Sequence, residues 1–194
     1  MNRQAFSSNL KRWIAKRAKR IGRFVEYWSS EADFDMDVQV AQVRKLGVKI
    51  GHDAALWNVS FDPIYPELIT IGNRVTITNA MILTHDDSAV ICLGQRRAAP
   101  VNIGDDVFIG WNSLLLPGVC VGSNCNIGAG SVVTHDIPSN IIAAGVPARV
   151  IGTMPEHSER LKADPSLLGI PLSSNRISNS EHICMKRIVL EKYF

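Results

Sequence analysis

The sequence has no long apolar run. Apolar residues make up 46% of the chain, but no uninterrupted stretch approaches the ~20 residues that a membrane-spanning helix needs. The N-terminal region also lacks the pattern of a secretory signal, because Arg and Lys interrupt its apolar residues and no small-residue cleavage site follows. These absences predict a globular protein, and 194 residues are enough for one domain with appendages.

Cysteine is scarce and irregularly placed. The four cysteines, Cys92, Cys120, Cys125 and Cys184, lack the spacing of a disulfide framework. We therefore expect reduced thiols in a cytoplasmic protein.

Acidic residues are absent from residues 1–25, which contain eight Lys or Arg. The rest of the chain has 13 basic and 18 acidic residues, so the net charge of +3 hides a basic N-terminal segment. Five apolar residues here recur at intervals of three, four or seven: Leu10, Ile14, Ile21, Val25 and Trp28. This spacing predicts an amphipathic helix, which either packs on the protein body or binds weakly to an anionic surface at the inner face of the membrane.

The dominant positive feature is a six-residue repeat. From residue 103 the chain divides into IGDDVF, IGWNSL, LLPGVC, VGSNCN, IGAGSV and VTHDIP. The first position is always aliphatic: Ile103, Ile109, Leu115, Val121, Ile127 and Val133. The fifth is always small or β-branched: Val107, Ser113, Val119, Cys125, Ser131 and Ile137. The frame recurs as IGNRVT, ITNAMI and LTHDDS at 71–88, and more weakly as IGHDAA and LWNVSF at 50–61.

A period of six excludes an α-helix, in which residues six apart differ by about 240° around the axis. Short strands joined by tight corners keep such residues on one face. Three hexads make a triangular coil of 18 residues, and stacked coils pair as parallel strands ~4.8 Å apart. We expect the register to hold without a slip over 71–88 and 103–138, with the first positions in one continuous core. Cys120 and Cys125 fall on repeat positions and are predicted to be packing residues.

The repeat and the terminal stretch AAGVPARVI resemble the hexapeptide-repeat acyltransferases, especially the maltose/galactoside acetyltransferases and the O-acetyltransferases of polysaccharide biosynthesis. The resemblance covers residues ~45 to 152 and implies an all-β solenoid, a left-handed parallel β-helix of about five coils. The left hand is implied by the resemblance alone, since parallel crossovers are otherwise right-handed. The predicted division is a basic helical extension at 1–45, the β-helix domain at 46–152 and a C-terminal tail at 153–194.

The repeat breaks directly after His85. Fourteen additional residues, AVICLGQRRAAPVN, separate the hexads at 83–88 and 103–108, and loops held by a rigid scaffold often carry function. In the family that the chain resembles, such a loop walls an active site between adjacent subunits of a trimer, and the catalytic histidine immediately precedes it. His85 is thus predicted to be the general base that takes a proton from an attacking hydroxyl. The alternative is a surface histidine at the end of a strand.

Polar residues near His85 are candidates for binding the acceptor. Asp86 and Asp87 follow it directly, and each is a candidate to orient the imidazole, to contact the acceptor or only to solvate the loop. Asn58 and Asp62 lie one coil earlier, in a strip that contributes acceptor-binding groups in sugar-acetylating relatives. We predict Asn58, Asp62 and Asp86 as substrate-binding residues.

The resemblance also implies acetyl-CoA as the acyl donor. The positions that match its binding groove are Gly110, Trp111, Ala129, Thr134, His135 and Arg149. Arg149 would face the nucleotide phosphates, because a guanidinium group matches phosphate oxygens. Two of the six depart from the family pattern: His135 stands where relatives usually have Lys, and Trp111 is bulkier than the usual residue.

No metal is expected, because a zinc site of the carbonic anhydrase type needs three converging histidines, and His52, His85 and His135 are separated by insertions. The sequence therefore predicts a homotrimeric, cytoplasmic, acetyl-CoA-dependent O-acetyltransferase that acts on a sugar or polysaccharide precursor. The alternatives are an acetyltransferase for a non-carbohydrate acceptor, such as a xenobiotic or serine, and a non-catalytic β-helix interaction protein. Nucleic acid is not an expected partner, since no binding motif accompanies the basic segment.

Overall fold

The computed structural model describes residues 36–164 and residue 167. Its helices are α1 (Met36–Lys45), α2 (Ser88–Leu93) and α3 (Met154–Lys162), with a 3-10 turn at Pro66–Leu68. The strands are β1 (Lys49–Ile50), β2 (Ala55–Trp57), β3 (Ser60–Phe61), β4 (Ile69–Ile71), β5 (Thr76–Thr78), β6 (Met81–Ile82), β7 (His85–Asp86), β8 (Arg97–Ala98), β9 (Val101–Ile103), β10 (Phe108–Ile109), β11 (Leu114–Leu115), β12 (Cys120–Val121), β13 (Asn126–Ile127), β14 (Val132–Val133), β15 (Ile141–Ala144) and β16 (Arg149–Thr153).

Successive strands enter three sheets in turn, which makes the fold a parallel β-helix. The first face has the order β1-β4-β9-β12, the second β16-β15-β13-β10-β5-β2 and the third β14-β11-β6-β3. Every pairing within these faces is parallel except β15 with β16, a hairpin at the end of the solenoid.

The core consists of the repeat positions that the sequence singled out. All the first-position and fifth-position side chains of the hexads from residue 103 are buried, with exposures of 6% or less. They stack between coils, as Ile77, Ile109 and Ile127 do on the second face. Each coil therefore adds a ring of aliphatic contacts to one core, and burial of this kind contributes roughly 25 cal/mol per Å2 of apolar surface.

The predicted register is wrong at the second hexad of 71–88. Ile82 is fully buried and pairs with Leu115, whereas Leu83, the expected inward residue, is only half-buried. Met81, at the expected fifth position, is 45% exposed. The chain has therefore slipped by one residue between β5 and β6.

The slip arises at the corner between the second and third faces. Asn79 turns this corner with φ of 44°, and its side chain donates to Asn112 Oδ1 of the next coil at 2.6 Å. Asn112 turns the equivalent corner with φ of 60°. One residue, Thr78, separates Ile77 from its asparagine, whereas Gly110 and Trp111 separate Ile109 from Asn112. Trp111 is the additional residue.

The cysteines divide between core and surface. Cys125 is buried, and its burial raises the pKa of the thiol. Cys120 is exposed, so the prediction that it packs in the core is wrong: it is the sixth residue of its hexad and points outward. Cys92 is also exposed, and Cys184 lies outside the described residues.

The first coil is covered by α1. Met36, Val40 and Val43 of this helix are buried in the main core, and Met36 Sδ accepts the N–H of Leu56 at 3.2 Å. The basic segment at 1–25 and the apolar stripe ending at Trp28 lie outside the described residues, so the amphipathic helix stays a prediction. Within the described part of the chain, no helix has the length and apolar character needed to cross a membrane.

Candidate active site

Two edges of the solenoid contain all the predicted site residues except Arg149. The second corner joins the second face to the third and includes residues 58–59, 79–80, 110–113 and 128–131. The third corner follows the third-face strands and includes residues 62–68, 83–100, 116–119 and 134–136. These corners lie at opposite ends of the same short strands.

The ejected loop replaces one turn of the third corner. Its strands β7 and β8 pair antiparallel around α2, and its base is closed by the N–H of Ala99, which donates to Thr84 O at 2.9 Å. Winding resumes at Val101, two residues earlier than expected, because Val101 already pairs with Ile69 on the first face. The residues from His85 onward belong to the loop and not to a regular hexad.

An ion pair joins the two arms of the loop. Arg96 Nη2 donates to Asp87 Oδ2 at 2.8 Å, and Arg96 Nε donates to Asp87 Oδ1. The hydrogen bond from Arg96 lowers the pKa of Asp87, and hydrogen bonds with Asp87 and then Tyr65 raise the pKa of Arg96. Tyr65 also meets the His85 ring edge-on, with ring centroids 6.1 Å apart.

Asp62 forms hydrogen bonds with both the ring and the backbone of His85. His85 Nδ1 lies 2.5 Å from Asp62 Oδ2, and this oxygen also accepts the backbone N–H groups of Thr84 and His85 at 2.8 and 3.0 Å. Asp62 Oδ1 accepts the N–H groups of Ile64 and Tyr65 at 2.8 and 3.2 Å. The Asp62 side chain is fully buried, and both of its oxygens accept hydrogen bonds from the chain around His85.

The charge of Asp62 fixes the chemistry of the imidazole. Burial raises the pKa of Asp62, but the hydrogen bonds from the backbone of Thr84 and Ile64 and from His85 outweigh it, and the pKa lies well below its usual range. An ionised carboxylate only accepts hydrogen bonds, so Nδ1 of a neutral His85 carries the proton and Nε2 keeps its lone pair. No described residue forms a hydrogen bond with Nε2. The arrangement can therefore take a proton from a bound hydroxyl.

The structure brings some predicted residues together and separates others. His85, Asp62 and Asp86 share the third corner, where Asp86 is half-buried and accepts the N–H of Ser88 at 2.8 Å. Asn58 turns the second corner and donates to Asn79 Oδ1 at 2.5 Å. Asn79 donates in turn to Asn112, so the three asparagines are linked from coil to coil. Within one chain, Asn58 is thus at the far end of the third face from His85.

The predicted cofactor residues also divide between these edges. Gly110, Trp111 and Ala129 lie on the second corner, where Trp111 and Ala129 are exposed. The stacking of the coils is enough to explain why residue 110 is glycine, because a Cβ there would lie 2.5 Å from Ala129 N. Thr134 and His135 lie on the third corner, with Thr134 Oγ1 2.7 Å from His135 Nδ1.

Arg149 stands apart on exposed strand β16 and donates to Ala148 O at 2.9 Å. Among the described residues, no group of three His, Cys, Asp or Glu side chains is arranged to hold a metal ion.

Sequence reasoning did not find how Asp62 acts, nor the contribution of Tyr65 and Arg96. A signal for Asp62 was present: the frame at 50–61 precedes the frame at 71–88 by 21 residues, which places Asp62 beside Leu83 at the start of the loop. The structure keeps this offset, since Phe61 pairs with Ile82. Tyr65 and Arg96 left no signal in the repeat, because both lie in irregular segments.

Comparisons with known proteins agree with the fold. A family model described as "Hexapeptide repeat of succinyl-transferase" matches residues 100–135. Protein CapG of Staphylococcus aureus is 41% identical over 130 residues, which are 62% of this chain and 74% of that protein. Galactoside O-acetyltransferase of Escherichia coli strain K12 is 53% identical over 87 residues, so the match spans less than half of either chain, 43% of each. A solved galactoside acetyltransferase in complex with coenzyme A has a TM-score of 0.50 and 28% identity over 64% of this chain and 74% of that one.

Proposed function

Because the chain belongs to the hexapeptide-repeat acetyltransferases, we propose that it moves an acetyl group from acetyl-CoA to a hydroxyl of a sugar or polysaccharide precursor. The observation that carries this proposal is the Asp62–His85 pair at the base of the ejected loop. The relatives support the acceptor class, since one of them is a galactoside O-acetyltransferase. The left hand of the β-helix and its number of coils, about five, are part of the same proposal and rest on the family.

His85 Nε2 takes the proton of the acceptor hydroxyl while its oxygen attacks the thioester carbonyl. The Asp62 carboxylate stabilises the imidazolium that forms and keeps the ring in place. The tetrahedral intermediate then collapses, the carbon–sulfur bond breaks, and the proton on Nε2 passes to the departing CoA thiolate. Acceptor and CoA leave as acetyl ester and free thiol.

We propose that Asp62 is a positioning residue and that it does not bind the acceptor. Both of its oxygens are occupied and buried. Asp86 and Asn58 keep their proposed acceptor contacts, and the proposed CoA contacts remain Gly110, Trp111, Ala129, Thr134, His135 and Arg149.

A homotrimer would reunite the separated residues. The third corner of one subunit, with His85 and Thr134, would face the second corner of the next, with Trp111 and Ala129. Closed three-fold symmetry then gives three equivalent sites. This arrangement is supported by the position of the two groups at opposite ends of the third-face strands, which one chain cannot bring to one groove.

Release of free thiol from acetyl-CoA tests the function directly. The intact protein is mixed with acetyl-CoA and a panel of free, nucleotide-linked and oligomeric saccharides, and the product is identified by mass spectrometry. We expect thiol release that depends on a saccharide and adds one acetyl group to it. Release that no saccharide stimulates, alongside acetylation of serine or an antibiotic from the same panel, would contradict the proposed acceptor class.

A further inference from the structure

A cavity of about 460 Å3 opens on the third corner beyond His85. Its wall includes Arg97 from the ejected loop, Gly118 from the next coil, and Thr134, His135 and Asp136 from the coil after that. The pairing of Ile82 with Leu115 and of Leu115 with Val133 places this last coil two steps from the one that bears His85. Two steps correspond to roughly 10 Å along the solenoid.

The loop holds Arg97 over this cavity. Arg97 pairs with Asp86 across the β7–β8 ladder, one residue from the partner of His85. Its Nη2 lies 3.8 Å from the place where a Cβ of Gly118 would stand, and Gly118 has φ of 89°. The guanidinium group of Arg97 therefore lies directly beside the backbone of Gly118, at the distance of an ordinary van der Waals contact.

The two arginines of the loop differ in their partners. Arg96 is paired with Asp87. Among the described residues, Arg97 forms no ion pair and its side chain donates to no acceptor. The pKa of Asp86 is lowered first by its hydrogen bonds with Ser88 and further by the nearby charge of Arg97. Asp136 is the one acidic residue on the cavity wall, and its Oδ1 accepts the N–H of Cys120 at 2.8 Å. Around the cavity the guanidinium group of Arg97 keeps its donors. Thr134 Oγ1 and His135 Nδ1 are hydrogen-bonded to each other, so this pair has one N–H or O–H left to donate.

We propose that Arg97 binds a phosphate group of CoA in this cavity. A planar guanidinium with free donors matches phosphate oxygens, and Thr134 and His135 line the same cavity. CoA, the acetyl donor, is favoured over an acidic sugar acceptor as the ligand of Arg97. The acceptor hydroxyl must lie at His85 Nε2, whereas CoA carries its phosphates at the far end of a long arm. The inference rests on the proposed acetyl-CoA chemistry and adds a residue that the repeat pattern does not mark.

Binding of free CoA tests the proposal without an acceptor. Calorimetry on the intact protein should show that Arg97→Gln raises the Kd for CoA by about tenfold, the loss expected for one charge-assisted contact, and that Arg97→Lys raises it less. Lys45→Gln, which removes one charge at the opposite end of the solenoid, should leave the Kd unchanged. His135→Lys combined with Arg97→Gln should recover part of the affinity, because it restores a cation on the same cavity.

An acetyl donor that has no phosphate gives a second test of the role of Arg97. With S-acetylpantetheine, which keeps the reacting thioester, Arg97→Gln should have the same kcat/KM as the wild-type protein, whereas with acetyl-CoA it should lose about tenfold. An unchanged Kd for CoA would overturn the proposal, and so would an equal loss with both donors or a change confined to the KM of the acceptor. Failure of the wild-type protein to bind CoA would instead overturn the proposed function itself.

Discussion

His85 and Asp62 show how a single contact sets the reactivity of a side chain. Another Asp–His pair exists in the chain: His52 Nδ1 lies 2.7 Å from Asp53 Oδ2, with side chains 64% and 55% exposed. That pair is solvated and adjacent in sequence, so little free energy is at stake. The Asp62–His85 pair has exposures of 0% and 17% and joins two coils. Because the Asp62–His85 pair is buried, its hydrogen bond holds the imidazole in one orientation and one tautomer.

Loss of the base is the first prediction. His85→Ala should lower kcat by two or more orders of magnitude, roughly the share that general base catalysis supplies, while the Kd for CoA hardly changes. Steady-state kinetics and calorimetry give the two values. His52→Ala is the matched control and should retain wild-type turnover. Turnover close to wild type in His85→Ala would remove this residue from the mechanism.

Loss of the buried charge is the second prediction. In Asp62→Asn the amide N–H would face Nδ1 and favour the tautomer that protonates Nε2, so kcat should fall by at least about tenfold. The backbone N–H groups left without good acceptors should cost about 1–3 kcal/mol in the free energy of unfolding. Kinetics and urea denaturation measure the two effects. Asp53→Asn should change neither.

The depressed pKa of Asp62 predicts how this loss of stability depends on pH. A carboxylate with a folded pKa below its unfolded value of about 3.9 stabilises the fold above that value. The stabilisation is lost as the pH falls toward the folded pKa. The difference in unfolding free energy between the wild-type protein and Asp62→Asn should thus shrink as the pH falls below about 4. A difference that grows with acid would contradict this sign.

At the scale of elements, the ejected loop is a small clamped unit. The antiparallel β7–β8 pair and the Asp87–Arg96 ion pair hold its two arms together beside Tyr65. Three of its apolar side chains, Val90, Ile91 and Leu93, are exposed by 43%, 93% and 68%. The loop thus keeps its shape through polar contacts at its base and contributes little to the core.

The clamp gives the third prediction. Arg96→Gln should lower kcat/KM by several-fold, because the arms that position His85 loosen, yet the Tm should move little because exposed ion pairs contribute little to stability. Enzyme kinetics and thermal denaturation give the two values. Arg74→Gln, which breaks an equally exposed ion pair with Asp106 away from the loop, should leave kcat/KM unchanged. A large fall in Tm with unchanged kcat/KM would make Arg96 a purely structural residue.

The stacked corners give the fourth prediction. A Cβ at Gly110 would lie 2.5 Å from the backbone N of Ala129, so Gly110→Ala should destabilise the fold by about 1–3 kcal/mol, as overpacking does. Gly130→Asn is the matched control. Nothing lies within 4 Å of a Cβ at Gly130, and Asn112 has nearly the same φ one coil earlier, 60° against 71°. Thermal denaturation should show a loss only for Gly110→Ala.

For the whole molecule, the decisive question is whether one chain holds a complete site. Light scattering should give about three times the chain mass of 21.3 kDa. A shared site also predicts complementation: His85→Ala damages only the third corner, and Ala129→Glu only the second. Mixed trimers from co-expression of these two inactive variants should regain activity, because some sites combine two intact corners. A stable, active monomer, or mixtures that stay inactive, would contradict the trimer.

Much of the fold could be predicted from the sequence, because the inward positions are set by local spacing. Ile109, Leu115 and Ile127 face the core wherever three hexads make one coil. The slip at Ile82 could not be predicted, since a corner turned by Asn79 alone and one turned with Trp111 inserted both fit a loose hexad pattern. The place of His85 at the break was clear from the sequence, whereas its partner was not.

The sequence by itself determined the solenoid and the position where it breaks, because a period of six acts between near neighbours along the chain. Only the tertiary structure decided that Asp62 orients His85, that Arg97 lies over the cavity with Thr134, and that Asn58 lies away from all three. These relations join residues between 21 and 37 positions apart through the stacking of coils. Stacking depends on the length of every corner in between, and a change of one residue in one corner redirects each side chain that follows.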